Sequence, residues 1–192
     1  MDPITIIGAV GSVVGIAAFG LKIAQFIGKS IDEYETADDD LSAILDVVKS
    51  TSRSLSQVEL LLREEKRNLA IDGKAKLFST TAVENIRSNA DDCLMIFWRI
   101  EATLLKKDNP KDLQIYVLRK LLDWRSALAR NPDENPPDLA LESDQRLSRR
   151  QRFRWSSVGA KLEKYTKQLH SLQTDLILLV TVINFKVNLV RP

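Results

Sequence analysis

The opening helix-length stretch, Pro3 to Leu21, constrains this chain most: it contains no charged residue and holds four of the seven glycines, Gly8, Gly11, Gly15 and Gly20. At 100° per residue, Gly8, Gly11, Ser12, Gly15 and Ala18 share one side of a helix, and Ile6, Val10, Val13, Ala17 and Leu21 share the other. A glycine inside a helix costs about 1 kcal/mol relative to alanine, so four of them imply close backbone approach. Gly11-x-x-x-Gly15 is the spacing with which helices touch in lipid. The run is also about long enough to cross a ~30 Å hydrocarbon core, and Lys22 and Lys29 follow it. A secretory signal needs a positive start and a small-residue exit; Met1-Asp2-Pro3 and Ala17-Ala18-Phe19 provide neither. The remaining readings are a core helix, a permanent single-pass anchor, and a segment buried in one state that meets lipid in another.

The chain has 192 residues, 44% of them hydrophobic, enough for one domain with a real core, and nothing in it suggests a second domain. With 28 basic and 26 acidic residues the net charge is +2, too balanced for wholesale nucleic-acid binding. A single cysteine, Cys93, excludes an intramolecular disulfide and fits a reducing compartment. There is no N-x-S/T glycosylation acceptor either, and the cytoplasm is the expected location.

Outside the first helix and the segment from Asn131 to Asp138, helix breakers are scarce. The pattern predicts an all-α chain, an antiparallel bundle of about five long helices spanning 1–192 as one domain. Helix one is expected over Ile4 to Lys29, followed by an acidic connection from Asp32 to Asp40. Helix two is expected over Asp39 to Asn68, with Leu41, Ile44, Leu45, Val48, Leu55, Val58 and Leu62 at core spacing and Arg63 to Arg67 as a solvated last turn. Helix three spans Thr81 to Lys107 and opens on Thr81-Ala82-Val83-Glu84, which has the form of a capping box. Asn109-Pro110 starts helix four, which runs to Arg130. A loop and basic segment, 131–155, leads into helix five from Ser156 or Ser157. That helix is apolar on all sides from Leu176 to Val190, as expected of a central helix or a truncated end, and the uncapped Arg191-Pro192 suggests the N-terminal part of a longer protein.

Chemistry is thinly represented. His170 and Cys93 lie on different helices without metal-site spacing, no glycine-rich loop joins a strand to a helix, and pairs such as Glu64-Glu65 and Asp91-Asp92 point to different faces. No catalytic residue, cofactor or metal ligand is nominated, and an enzyme is not expected. One constellation remains: Arg146, Arg149, Arg150, Arg152 and Arg154, interleaved with Phe153 and Trp155. Such a set can hold anionic lipid headgroups, at about 1 kcal/mol per basic residue near the surface, or single-stranded nucleic acid. The plain reading is a solvated turn whose Trp155 packs into the bundle; between the two ligands, the uncharged first helix favours lipid.

Met1-Asp2-Pro3-Ile4-Thr5-Ile6-Ile7-Gly8 with its glycine-rich continuation, and Arg152-Phe153-Arg154-Trp155 before a Lys/Glu/Leu helix, resemble the HeLo-like family of fungi, the N-terminal domain of STAND (NLR-type) receptors and of their effector partners. The resemblance implies a regulated cell-death executioner of the programmed-death, heterokaryon-incompatibility and innate-immunity type. It would rest in the cytoplasm, oligomerise on a signal from an NLR/STAND-type or amyloid-signalling partner, and permeabilise the plasma membrane as a pore-forming assembly. The expected inserting segment, within residues 1–29, comprises Ile4, Ile6, Ile7, Gly8, Val10, Gly11, Ser12, Val13, Val14, Gly15, Ile16, Phe19 and Leu21, with the glycines acting as a zipper. Lys22, Lys29 and the five arginines are the expected headgroup ligands. The expected partners are anionic membrane and further copies of the chain, without nucleic acid. The alternative is a non-lytic adaptor or oligomerisation domain of an NLR-type receptor.

Overall fold

The computed structural model describes residues 3–33, 39–72, 77–105, 110–130 and 155–190. These form five helices, α1 (Pro3–Glu33), α2 (Asp39–Asp72), α3 (Thr80–Leu104), α4 (Pro110–Arg130) and α5 (Trp155–Val190), and no strand occurs among the described residues. The all-α antiparallel bundle expected from the apolar spacing is the observed architecture. α1 packs on α2 and α3, and α5 packs on the same two helices from the opposite side. α4 lies against α3 and touches α1. The four main helices thus form a ring in the order α1, α2, α5, α3, and α4 is an addition on the α3 side.

α1 and α3 are the most enclosed helices, and α5 is not the central one. Ile6, Ala9, Val10, Ser12, Val13, Gly15, Ile16, Ala17, Phe19, Gly20, Ile23, Ala24 and Ile27 are all buried on α1. Among the described residues α5 and α1 do not pack on each other. Leu176 and Ile183 of α5 are buried, but Ile177, Leu178, Val182 and Phe185 are exposed. The Ser50 hydroxyl of α2 donates to Gln173 Oε1 of α5 at 3.2 Å, which fixes the register. From there α5 continues 17 residues to Val190, whereas α2 begins only 11 residues before Ser50, so the last turns of α5 outrun the helix that would cover them.

Gly20 makes a close approach. A Cβ there would clash with Ser52 Oγ of α2 and lie 2.7 Å from the Phe97 ring of α3. Ser52 turns its hydroxyl back onto the Val48 carbonyl at 2.8 Å, leaving a small, internally satisfied surface for α1. At Gly8 and Gly28 an added Cβ meets nothing within 4 Å. Opposite effects follow. Gly8→Ala is expected to stabilise the fold by up to about 1 kcal/mol through helix propensity. Gly20→Ala is expected to lose net stability, because overpacking costs about 1–3 kcal/mol and the Phe97 ring is wholly buried. Paired urea titrations read both signs.

α3 starts earlier than the Thr81 capping box suggests. Ser79 is the N-cap, its Oγ accepting from Ala82 N at 3.2 Å. Phe78 and Val83, the two positions of a hydrophobic staple, are both buried, which favours Ser79 over the adjacent threonines. The entry is also held from a distance: Glu65 on α2 accepts from Leu77 N at 2.9 Å and Phe78 N at 3.1 Å through the same carboxylate oxygen. The Arg63 to Arg67 turn is therefore not simply solvated, since Glu65 is fully buried within it.

Candidate membrane-active helix and adjoining cleft

α1 presents one row to solvent. Ala18, Leu21, Gln25 and Lys29 are exposed, Gly11 and Val14 are half-buried, and the spacing of three to four residues makes them a single stripe. From Gly11 to Leu21 that stripe carries no polar side chain, and Leu21 is 41% exposed. A helix on a soluble surface ordinarily puts charged residues on its outer face. Here the first polar outward groups are Lys22, half-buried and engaged with a neighbour, and Gln25. Among the described residues Gly8–Lys29 is long and apolar enough to cross a bilayer, a test that a buried core helix also passes.

The sequence divides α1 into a small-residue side and a bulky side, and the structure buries most of both. Ile6, Val10, Val13, Ile16 and Phe19 are buried, but Leu21, assigned to the bulky side, turns outward. Of the glycine side, Ser12 and Gly15 are buried, Gly8 and Gly11 half-buried, and Ala18 exposed. The small-residue stripe is thus mostly engaged within the fold. Ser12 Oγ and Thr51 Oγ1 are buried without a hydrogen-bond partner among the described residues, each a cost of about 1–3 kcal/mol. The side chains of Ile4 and Ile7 lie outside those described. So do Arg146, Arg149, Arg150, Arg152 and Arg154, together with Phe153.

Five wholly buried side chains, Ile6, Ile16, Phe19, Ile23 and Ile27, anchor α1. Burial of each contributes about 1.5–3 kcal/mol, so together they match the whole net stability of a domain, about 5–15 kcal/mol. Three of them, Ile6, Ile16 and Phe19, lie within Met1 to Leu21 and contribute about 4.5–9 kcal/mol, so removing that segment would undermine the fold along with any membrane activity. Outward-facing positions are the ones that separate the two.

Beside the first half of α1 lies a cleft of about 320 Å³, lined by Gly8, by Arg87 and Asp91 of α3, and by Leu121, Trp124, Arg125, Leu128 and Ala129 of α4. Arg87 and Asp91 are one turn apart on α3, and α4 brings Arg125 to the same carboxylate. Burial pushes the Asp91 carboxyl up; Arg87 and Arg125 oppose that rise, and the neighbouring Asp92 adds to it. Trp124 is 2% exposed and its indole N–H has no acceptor among the described residues. Sequence reasoning missed this cluster: the Arg87/Asp91 spacing is visible, but Arg125 joins it only through the packing of α4.

α4 is tied to α3 higher up by the Tyr116 hydroxyl, which donates to Glu101 Oε2 at 2.6 Å in a buried setting, with Lys120 over the Tyr116 ring at 5.6 Å. Its outer face exposes Ile115, Leu118 and Leu122. Among the described residues no group of histidine, cysteine and carboxylate side chains has the arrangement of a metal site. His170 is exposed, and Cys93 lies inside the core rather than at its edge. Burial pushes the Cys93 thiol up to about 12, so the reactive thiolate is scarce near neutrality. Maleimide labelling of the native protein is expected to be slower by orders of magnitude than labelling in denaturant; equal rates would show that the core opens freely.

Comparison with protein families, with characterised proteins and with solved structures finds no match.

Proposed function

We propose that this chain is a cell-death execution domain that permeabilises the plasma membrane through α1 after copies are brought together. The observation that carries the reading is the outermost row of α1: Ala18 and Leu21 are exposed, Gly11 and Val14 half-buried at the edge of the core, and all four are small or apolar. A helix sheltered for life needs no such face, whereas one that enters lipid needs an uncharged surface all round. Release need not forfeit the hydrophobic energy of α1, because acyl chains are as apolar as the core that it leaves. What the bundle loses is the cover over α2 and α3, and clustering of copies supplies it by raising the local concentration of exposed faces. Within the assembly, Gly11 and Gly15 permit helix-to-helix contact.

In this reading the protein rests in the cytoplasm and acts at the plasma membrane, with anionic lipid and further copies of itself as partners. The HeLo-like resemblance supplies the biological setting, including an NLR/STAND-type or amyloid-signalling trigger. The test is dye release from liposomes containing anionic lipid, with the intact chain fused to an inducible dimeriser. Leakage on dimerisation supports execution, and Gly11→Leu, which keeps the helix apolar, is expected to reduce it severalfold by blocking close contact. Full leakage from Gly11→Leu would count against a glycine zipper.

A second reading, a non-lytic adaptor, is favoured by the apolar residues exposed on α4 and at the end of α5, since such patches mark interaction surfaces. Retained partner binding without leakage would select it.

A further inference from the structure

The α1–α3–α4 cleft holds a set of groups that neither the core nor α1 requires. Two arginines from different helices, Arg87 and Arg125, line it, and both are exposed. Between them Asp91 supplies a half-buried carboxylate whose burial disfavours its own charge. The buried Trp124 indole lines the same space, and its N–H, closed off from solvent, lacks an acceptor among the described residues. Beside it Gly8 leaves open space where a side chain would stand, and Leu128 adds an apolar wall. A guanidinium pair is a donor set for tetrahedral oxyanions, which arginine binds through parallel hydrogen bonds.

We propose that this cleft is a binding site for a phosphate group, in which Arg87 and Arg125 hold the oxygens beside the Trp124 indole and Asp91 occupies the place of the anion when it is absent. The exchange is of one acceptor for another: phosphate oxygens take over the guanidinium donors, and the Asp91 carboxyl, already disposed to lose its charge, takes up a proton or turns away. Because Gly8 belongs to the cleft, occupancy is sensed directly by the first turns of α1. The phosphate comes either from a phospholipid headgroup or from a soluble phosphate compound. The site is a property of the resting fold and stands or falls independently of whether α1 enters lipid.

The experiment follows the indole N–H resonances of the full chain by NMR, with the Trp124 signal assigned by its loss in Trp124→Phe. Inorganic phosphate is expected to move that resonance saturably, whereas sodium chloride at matched ionic strength is not. Arg87→Gln and Arg125→Gln are each expected to weaken binding about tenfold, as loss of a charge-assisted hydrogen bond requires, and Asp91→Asn to tighten it. Both arginines are on the surface, so their removal leaves the melting temperature in place. Phosphatidylcholine vesicles with and without phosphatidic acid then compete: displacement only by the acidic vesicles assigns the site to lipid, and no displacement assigns it to a soluble phosphate. An unmoved Trp124 resonance, or a shift that persists unchanged in the double arginine variant, would overturn the proposal, whatever the leakage assay shows.

Discussion

Glutamate in place of Ala18 is expected to abolish membrane permeabilisation and leave the resting fold intact. Ala18 is exposed on the outward row of α1, and surface substitutions of this kind change stability by about 0.5 kcal/mol or less. In a membrane-inserted helix the same position lies at the middle of the Gly8–Lys29 span, where an acidic side chain costs about 2.5–3.5 kcal/mol per helix. That is roughly a hundredfold for a single chain and more when several helices insert together. The contrast cannot be had by deletion, because α1 supplies the core residues that hold α2 and α3. Leakage and thermal melting measured on the same preparation separate the two quantities. Lost leakage with an unchanged melt is the expected pair, whereas unimpaired leakage would place the active surface elsewhere.

The largest loss of stability from one polar side chain is expected at Glu65. Its Oε1 receives the Leu77 and Phe78 amides, and both the carboxylate and Phe78 are buried. Hydrogen bonds to a charged acceptor contribute about 1.5–3 kcal/mol, and stranded buried donors cost a similar amount. Glu65→Ala is therefore expected to lose about 3 kcal/mol or more, visible as a lower urea midpoint at unchanged slope. Glu65→Gln retains a carbonyl acceptor and is expected to lose clearly less. Equal losses in the two variants would mean that volume, not the amide contacts, sets the effect.

The helices were legible because each is marked locally. Pro110 begins α4 where the chain places it, and Asp39 begins α2. The core faces of α2 and α3 repeat at helical spacing, so Leu55, Val58, Leu62, Ile86 and Leu94 were identifiable as interior. What escaped depends on partners distant in sequence. Glu65 is an ordinary acidic residue in a charged run, and its burial follows from the path of the chain after α2. The exposed apolar side of α5 follows from α2 and α3 packing on one face of it rather than from composition: Ile177, Leu178 and Val182 are exposed within the length that α2 spans, and only the turns from Phe185 pass its start. An all-apolar run means burial only where neighbours cover every face. For α1, periodicity separated small from bulky residues but could not say how many neighbours surround the helix. With α2, α3 and α4 around it, both stripes are largely enclosed, and the outward row of Gly11, Val14, Ala18 and Leu21 runs along their border. The Arg87, Asp91 and Arg125 cluster was half visible for the same reason.

The central claim is that α1 leaves the bundle and enters lipid. The most direct measurement attaches an environment-sensitive fluorophore at Ala18→Cys, where the label starts in solvent and the native Cys93 is buried and unreactive. Anionic vesicles carrying bilayer-embedded quenchers are added, and the chain is dimerised. The account predicts quenching by the lipid probe, protection from aqueous iodide, and dye release on the same time course. Dye release while the label remains open to iodide and untouched by the lipid quencher would contradict it.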